Sequence, residues 1–355
     1  PGFGLTAVGG VSRPAGSSIE HLIQDILAAT PNHAASDQGH LTGNGVSFLN
    51  KLAASVPLLV ETITPTTGET APTGPLTLPG TSSDSQHTAL VIAATHVASG
   101  STLVLNAVDF AAIIGTANII GNTNGQILTG DAASQQFSIS SGSGSSVFAG
   151  GGSDTLNINF AGSSTEPSNS TTLVHGGQGN DAVVFNGASS DYLVENHEGY
   201  VLVTSKVQPG QHTLLVNAEN LTFSDTTISV QTSEPQTQLA GLYQSVLGRQ
   251  ADYLGFDYWA VQAKNGMSMG SIALSLITSN EAHDKQAVTL NGNAPHDLEL
   301  VYQGIYGRQS DSAGLAYWVD AMQKGMTLEQ VASNFVQAAE MNQHNVLAAN
   351  WDFII

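Results

Sequence analysis

Residues 176–184 read Gly-Gly-Gln-Gly-Asn-Asp-Ala-Val-Val and match throughout the nine-residue pattern G-G-x-G-x-D-x-U-x, where U is a large apolar residue. Each part of the pattern has a physical task. Gly176, Gly177 and Gly179 allow a tight turn with inward carbonyl oxygens, Asp181 adds a carboxylate, and Val183 opens a short strand that stacks on its neighbours. Oxygen donors of this kind suit a hard cation, calcium (Ca2+) above all.

A single copy also reads as an ordinary glycine turn, so neighbouring copies matter. Residues 149–157, Ala-Gly-Gly-Gly-Ser-Asp-Thr-Leu-Asn, depart from the pattern only at the first glycine and bring Gly150, Gly152 and Asp154 into register. Residues 141–149 keep the turn but have Ser146 in place of the aspartate. Asp154 and Asp181 lie 27 positions apart (181 − 154), three periods of nine. This spacing predicts two turns of one short parallel β-roll or β-helix, with Glu166 to Asn169 as an inserted loop.

On these residues the chain resembles the repeats-in-toxin family of type I secreted bacterial proteins. Asp181 to Phe185, Asp191 to Val194 and His212 to Asp225 extend the likeness to the β-rich module that often follows such repeats. The resemblance implies export in an unfolded state through the type I machinery of a Gram-negative bacterium, then folding on calcium outside the cell. It also makes Asp352, Phe353, Ile354 and Ile355, an acid followed by three large hydrophobes, an expected terminal secretion signal.

Composition accords with that route. With 28 acidic and 8 basic residues the formal charge is −20, so the calcium-free chain repels itself, and there is no cysteine to form a disulfide framework. Arg13, Lys51 and Lys206 are the only basic residues in the first 240, which argues against strong nucleic-acid binding. Residues from Pro1 show no charged segment followed by an apolar core, and no run reaches the roughly 18 apolar residues that span a membrane.

The last third repeats with a period of 59. Leu-Tyr-Gln-Ser-Val-Leu-Gly-Arg at 242–249 aligns with Val-Tyr-Gln-Gly-Ile-Tyr-Gly-Arg at 301–308, and the register continues through Asp252 and Asp311, Gly255 and Gly314, Tyr258-Trp259 and Tyr317-Trp318, and Glu281 and Glu340. Helical spacing, glycine stops and a capping box at Thr327 and Gln330 predict two copies of a helical unit. The copies resemble a tandem helical domain of unknown function common in type I secreted and surface-associated proteins. Asp252 and Asp311 read as helix caps. Arg249, Trp259, Arg308 and Trp318 read either as packing and hydrogen-bonding groups or as a surface for sugar rings and hydroxyls, with polysaccharide the ligand in the second case.

Upstream, apolar residues at 19, 22, 23, 26 and 27 predict an amphipathic helix capped by Ser17 or Ser18, and residues 45–56 suggest another. Residues 61–87 are rich in Thr and Pro and read as a linker or arm, free or laid on a neighbouring subunit. The expected organisation is multidomain α+β: a helical N-terminal segment (1–60), the arm (61–87), a β-rich domain with the calcium turns (88–233), and C-terminal all-α tandem repeats (234–290 and 291–355).

No catalytic constellation emerges. His197-Glu198 lacks the second histidine of a zinc helix, and Gly266-Met-Ser268-Met-Gly270 joins two predicted helices where a nucleophile elbow needs a strand, so Ser268 reads as a cap. The expected function is that of a non-enzymatic, secreted, calcium-binding structural protein that assembles with copies of itself into a surface layer, filament or matrix fibre. The alternatives are a monomeric adhesin or polysaccharide binder and, behind it, an extracellular hydrolase.

Overall fold

The computed structural model describes residues 2–83, 85–141, 143–159, 171–197, 200–208, 210–230, 234–249, 251–283, 289–338 and 341. It is an α+β structure in two compact units: Pro1–Asn196 with Tyr200–Gln231, and His197–Gly199 with Thr232–Ile355.

In the first unit successive strands go by turns to two sheets. Pro57–Thr66, His87–Ala93, Phe110–Ile114, Ile127–Gly130, Ser146–Phe148, Thr171–His175 and His212–Val216 lie side by side in one sheet. Leu76–Pro79, Thr102–Asn106, Asn118–Gly121, Gln136–Ser140, Thr155–Asn159, Ala182–Phe185 and Asn220–Thr222 lie side by side in the other. Every neighbouring pair within these two series is parallel. Antiparallel strands complete the sheets: Gly4–Gly9 beside Pro57–Thr66, a hairpin of Tyr192–Asn196 and Val201–Ser205, and Thr227–Ser229.

Period-two burial makes the core. In Thr102–Asn106, Leu103 and Leu105 point inward and Asn106 is exposed; Phe137, Ile139, Leu156, Ile158, Val183 and Phe185 repeat the pattern on later strands. They meet Leu90, Ile92, Ile113, Leu128, Val147 and Val174 of the facing sheet. The strand Phe110–Ile114 is buried at every position because a helix covers its outer face. Ala35–Lys51 packs on this strand, where its Phe48 stacks on Phe110 with ring centroids 5.2 Å apart, and Ile19–Ala29 packs on the neighbouring His87–Ala93 and Pro57–Thr66. A Cβ on Gly45 would sit 3.2 Å from Leu22, so this glycine allows the two helices to approach.

Three expectations are corrected. The arm is partly sheet: it begins within Pro57–Thr66, which is paired on both sides, and includes Leu76–Pro79, which forms an edge. Threonine is β-branched and favours strands, and Pro65 lies beyond the parallel register, which stops at Ile63↔Ile92, so its missing N–H costs that pairing nothing. The segment 1–60 is no separate domain, since it opens with a strand and its helices pack on the same sheet. Its second helix runs from Ala35 to Lys51 and not from residue 45. Ser18 occupies the N-cap of the first, but its hydroxyl donates to the Pro14 carbonyl (3.0 Å).

The second unit explains the 59-residue repeat. Helices Tyr253–Lys264 and Ser312–Gln323 start at Asp252 and Asp311, whose carboxylates accept from Gly255 N (2.7 Å) and Gly314 N (2.8 Å). Gly248 and Gly307 end the preceding helical segments with φ of 62° and 67°. Arg249 lies over the Tyr243 ring at 5.3 Å and Arg308 over Tyr302 at 5.2 Å. Helices Met269–Ile277 and Leu328–Gln337 carry the expected caps at Ser268 and Thr327, the latter with its full capping box.

Candidate metal-binding turns and a carboxylate ladder

The two glycine turns stack directly on each other. Gly151 and Gly152 pair in parallel with Gln178 and Gly179, and Gln178 N donates to the Gly150 carbonyl at 2.7 Å. The stacking is so close that only glycine fits. Gly177 (φ +103°) and Gly179 (φ +137°) sit against the carbonyl oxygens of Gly150 and Gly152, where any Cβ would collide. Gly176 leaves room for the Asp181 carboxylate, which a Cβ there would meet at 2.7 Å.

Both motif aspartates are buried, Asp154 at 1% exposure and Asp181 at 0%. They belong to a longer series in which each acid accepts an amide N–H from an earlier turn of the chain. Asp109 accepts from Thr88 N (2.7 Å), Asp131 from Gly115 N (2.9 Å), Asp154 from Gln135 N (2.7 Å), Asp181 from Asp154 N (2.8 Å) and Glu219 from Asp181 N (2.7 Å). At Gly115, Gln135, Asp154 and Asp181 these bonds satisfy amides that lie beyond the ends of the paired strands. Asp131 is further held by Ala133 N (3.0 Å) and the Gln135 side chain (2.9 Å).

Asp154 and Asp181 differ from Asp131 in one respect. Each uses Oδ1 for its amide, while Oδ2 is buried with no hydrogen-bond partner among the described residues. Burial pushes the Asp154 carboxyl up to about 8, against the Gln135 amide and with help from the Asp181 and Asp131 charges. Burial likewise raises Asp181 to about 7, against the Asp154 amide and with help from Glu219. The two spare carboxylate oxygens are hard donors of the kind that calcium takes. Among the described residues no group of three or more His, Cys, Asp or Glu is placed to hold a metal ion.

The sequence reading missed Asp109, Asp131, Gln135 and Glu219. For two of them a signal is present: Asp109 and Glu219, like Asp154 and Asp181, sit just before an apolar or alternating strand, although at unequal spacings. It also missed a polar face on the helix Ala35–Lys51. His40 and Asn44, one turn apart, both reach the buried Thr129 hydroxyl at 3.1 Å, and His33 meets Asp37 at 2.5 Å.

The residues read as a sugar surface are placed differently. Arg249 is engaged with Glu281, including Nη2 to Oε2 at 2.8 Å, and with Asp252. Trp259 and Trp318 are half-buried, with Tyr258 and Tyr317 edge-on to them at 5.0 and 4.9 Å. Trp318 also packs on Phe335 at 5.4 Å, while Arg308 donates to the Gln309 carbonyl at 3.0 Å. The exposed aromatic groups are the tyrosines, Tyr258 at 56% and Tyr317 at 64%. Asp352, Phe353, Ile354 and Ile355, the loop at 166–169 and Glu340 lie outside the described residues. Among the described residues no helix is long and apolar enough to cross a membrane.

Residues 218–286 and 296–345 match the family described as a domain of unknown function (DUF4214). No curated protein and no solved structure matches the chain. The match spans both copies of the 59-residue repeat, so what it relates to other proteins is the helical unit together with the last residues of the strand-wound one.

Proposed function

We propose that the strand-wound unit is a short β-roll belonging to a secreted, calcium-binding structural protein that self-associates at the surface of, or outside, a Gram-negative cell. The observation that carries this reading is the direct stacking of the two glycine turns, with one oxygen of Asp154 and one of Asp181 buried and unpartnered. In this reading Asp154 and Asp181 hold calcium together with carbonyl oxygens of the turns around Gly150, Gly152, Gly176, Gly177 and Gly179. The ion, when bound, supplies the positive charge that lets both carboxylates stay ionised in a buried place. The protein supplies the order: the Oδ1 bonds to Gln135 N and Asp154 N fix both carboxylates before a cation arrives.

Export through the type I machinery follows from the repeats-in-toxin likeness, and the charge of −20 suits a chain that stays expanded until cations are plentiful. The polysaccharide-binding alternative is favoured by Tyr258 and Tyr317, exposed at equivalent positions of the two helical copies. Light scattering and negative-stain microscopy of the full chain, with millimolar calcium and with chelator, test the main reading. Calcium-dependent ordered assemblies are expected. Single particles at every concentration in both conditions would refute self-association and turn attention to polysaccharide binding.

A further inference from the structure

The strand Gly4–Gly9 ends the larger sheet and pairs along one side only, antiparallel to Pro57–Thr66. All six of its residues are exposed, with Leu5 at 51% and Val8 at 67%, and Val11 just beyond it is 85% exposed. Among the described residues no backbone hydrogen bond reaches its outer side. Soluble proteins guard such edges with lysine, proline or a bulge, because a row of open N–H and C=O groups accepts another strand. The six-residue stretch itself has no such guard, since residues 2–12 contain no charged side chain and no proline; Arg13 and Pro14, which pair with Leu58 and Pro57, stand just beyond it on the same side of Pro57–Thr66.

We infer that the outer edge of Gly4–Gly9 docks the same edge of a second copy, joining two sheets into one across a two-fold axis. The inference rests on the self-association proposed above and names one of its contacts. Charge limits where a second copy can approach. Two copies at −20 each repel over most of their surface, and a charge-free strand is where one can approach another at least cost. The strand also matches itself. An axis through Thr6, perpendicular to the sheet, sets Thr6 opposite Thr6 of the second copy, Leu5 opposite Ala7 and Gly4 opposite Val8, with no charge in any pair. Six residues form a contact well below the standard interface of about 1,600 Å². The expected association is therefore weak and reversible, and it operates where copies are concentrated.

Thr6 near the axis faces its own copy, which permits a charge-swap test on the full chain in calcium. Sedimentation velocity over a concentration series is run on the wild type, on Thr6→Glu, on Thr6→Lys and on their equimolar mixture. The position is exposed, so circular dichroism and melting should match the wild type. Each variant alone is expected to associate at least about tenfold more weakly, since like charges directly opposed repel, and the mixture is expected to regain wild-type association. Thr6→Cys gives an independent reading in a chain without cysteine: oxidation should yield a covalent dimer. If both charged variants associate as the wild type does, or the mixture stays as weak as its components, or Thr6→Cys stays monomeric on oxidation while the wild type self-associates, the edge contact is wrong and self-association stands. A wild type that is monomeric throughout removes the parent reading and this contact with it.

Discussion

Replacing Asp154 by Asn separates the two ways in which its buried carboxyl can be accommodated. The substitution keeps an oxygen for the Gln135 amide but removes the charge. Without calcium the folded carboxyl titrates near 8, against the ordinary value of 3.8, so the folded state holds a proton that the unfolded state has already released. Stability from this group is therefore fully present below about pH 4 and is lost as the pH rises through 8. Between pH 5 and pH 8 the loss is about 3 × 1.36, or roughly 4 kcal/mol, as an upper figure for one coupled member of a pair. That is a large share of the roughly 5–15 kcal/mol that holds a domain folded. Urea unfolding by circular dichroism at pH 5 and pH 8 in chelator should therefore show the wild type losing about 4 kcal/mol more than Asp154→Asn. In millimolar calcium the wild-type loss should disappear, because the calcium-bound folded state and the unfolded state both hold this carboxyl deprotonated; the stabilisation that calcium adds therefore grows with pH, and the variant gains much less from the ion. If wild type and variant share one pH profile in chelator, Asp154 does not carry a shifted buried carboxyl and the ladder argument fails. If calcium stabilises both equally, the ion does not bind at Asp154.

Two further outcomes follow from the packing. Gly177→Ala places a Cβ against the Gly150 carbonyl at φ +103° and should cost the strand-wound unit roughly 3 kcal/mol in urea unfolding, whereas Gly125→Ala, at φ +71° in open space, should cost only about 1 kcal/mol; equal costs would contradict the close stacking of the turns. In the helical unit, Gly255→Ala and Gly314→Ala should each cost about 1–3 kcal/mol, because the new Cβ meets the hydroxyl of buried Tyr243 at 2.7 Å or of buried Tyr302 at 2.6 Å. Adding Tyr302→Phe to Gly314→Ala should restore part of that loss, and purely additive effects would sink the account.

Much of this protein is determined by short-range pattern. A glycine with positive φ, a cap acceptor three residues from its amide and a side chain every second residue facing a core are all local requirements. So the turns at 149–154 and 176–181, the caps at Asp252, Ser268, Asp311 and Thr327, and the many short strands are legible from residue type and spacing. The stacking of one turn on another, the burial of Asp154 and Asp181 and the amides they accept depend on register between strands far apart in the chain, which unequal spacings of acids hide. Composition misled where tertiary context overrides it. The Thr- and Pro-rich stretch 61–87 looks like an arm, yet the strand it begins in is paired on both sides, because β-branched residues beside a growing sheet gain more from pairing than from solvent. Only the folded sheet shows that Gly4–Gly9 has an open edge, since a strand's free side is a property of its neighbours and not of its own residues.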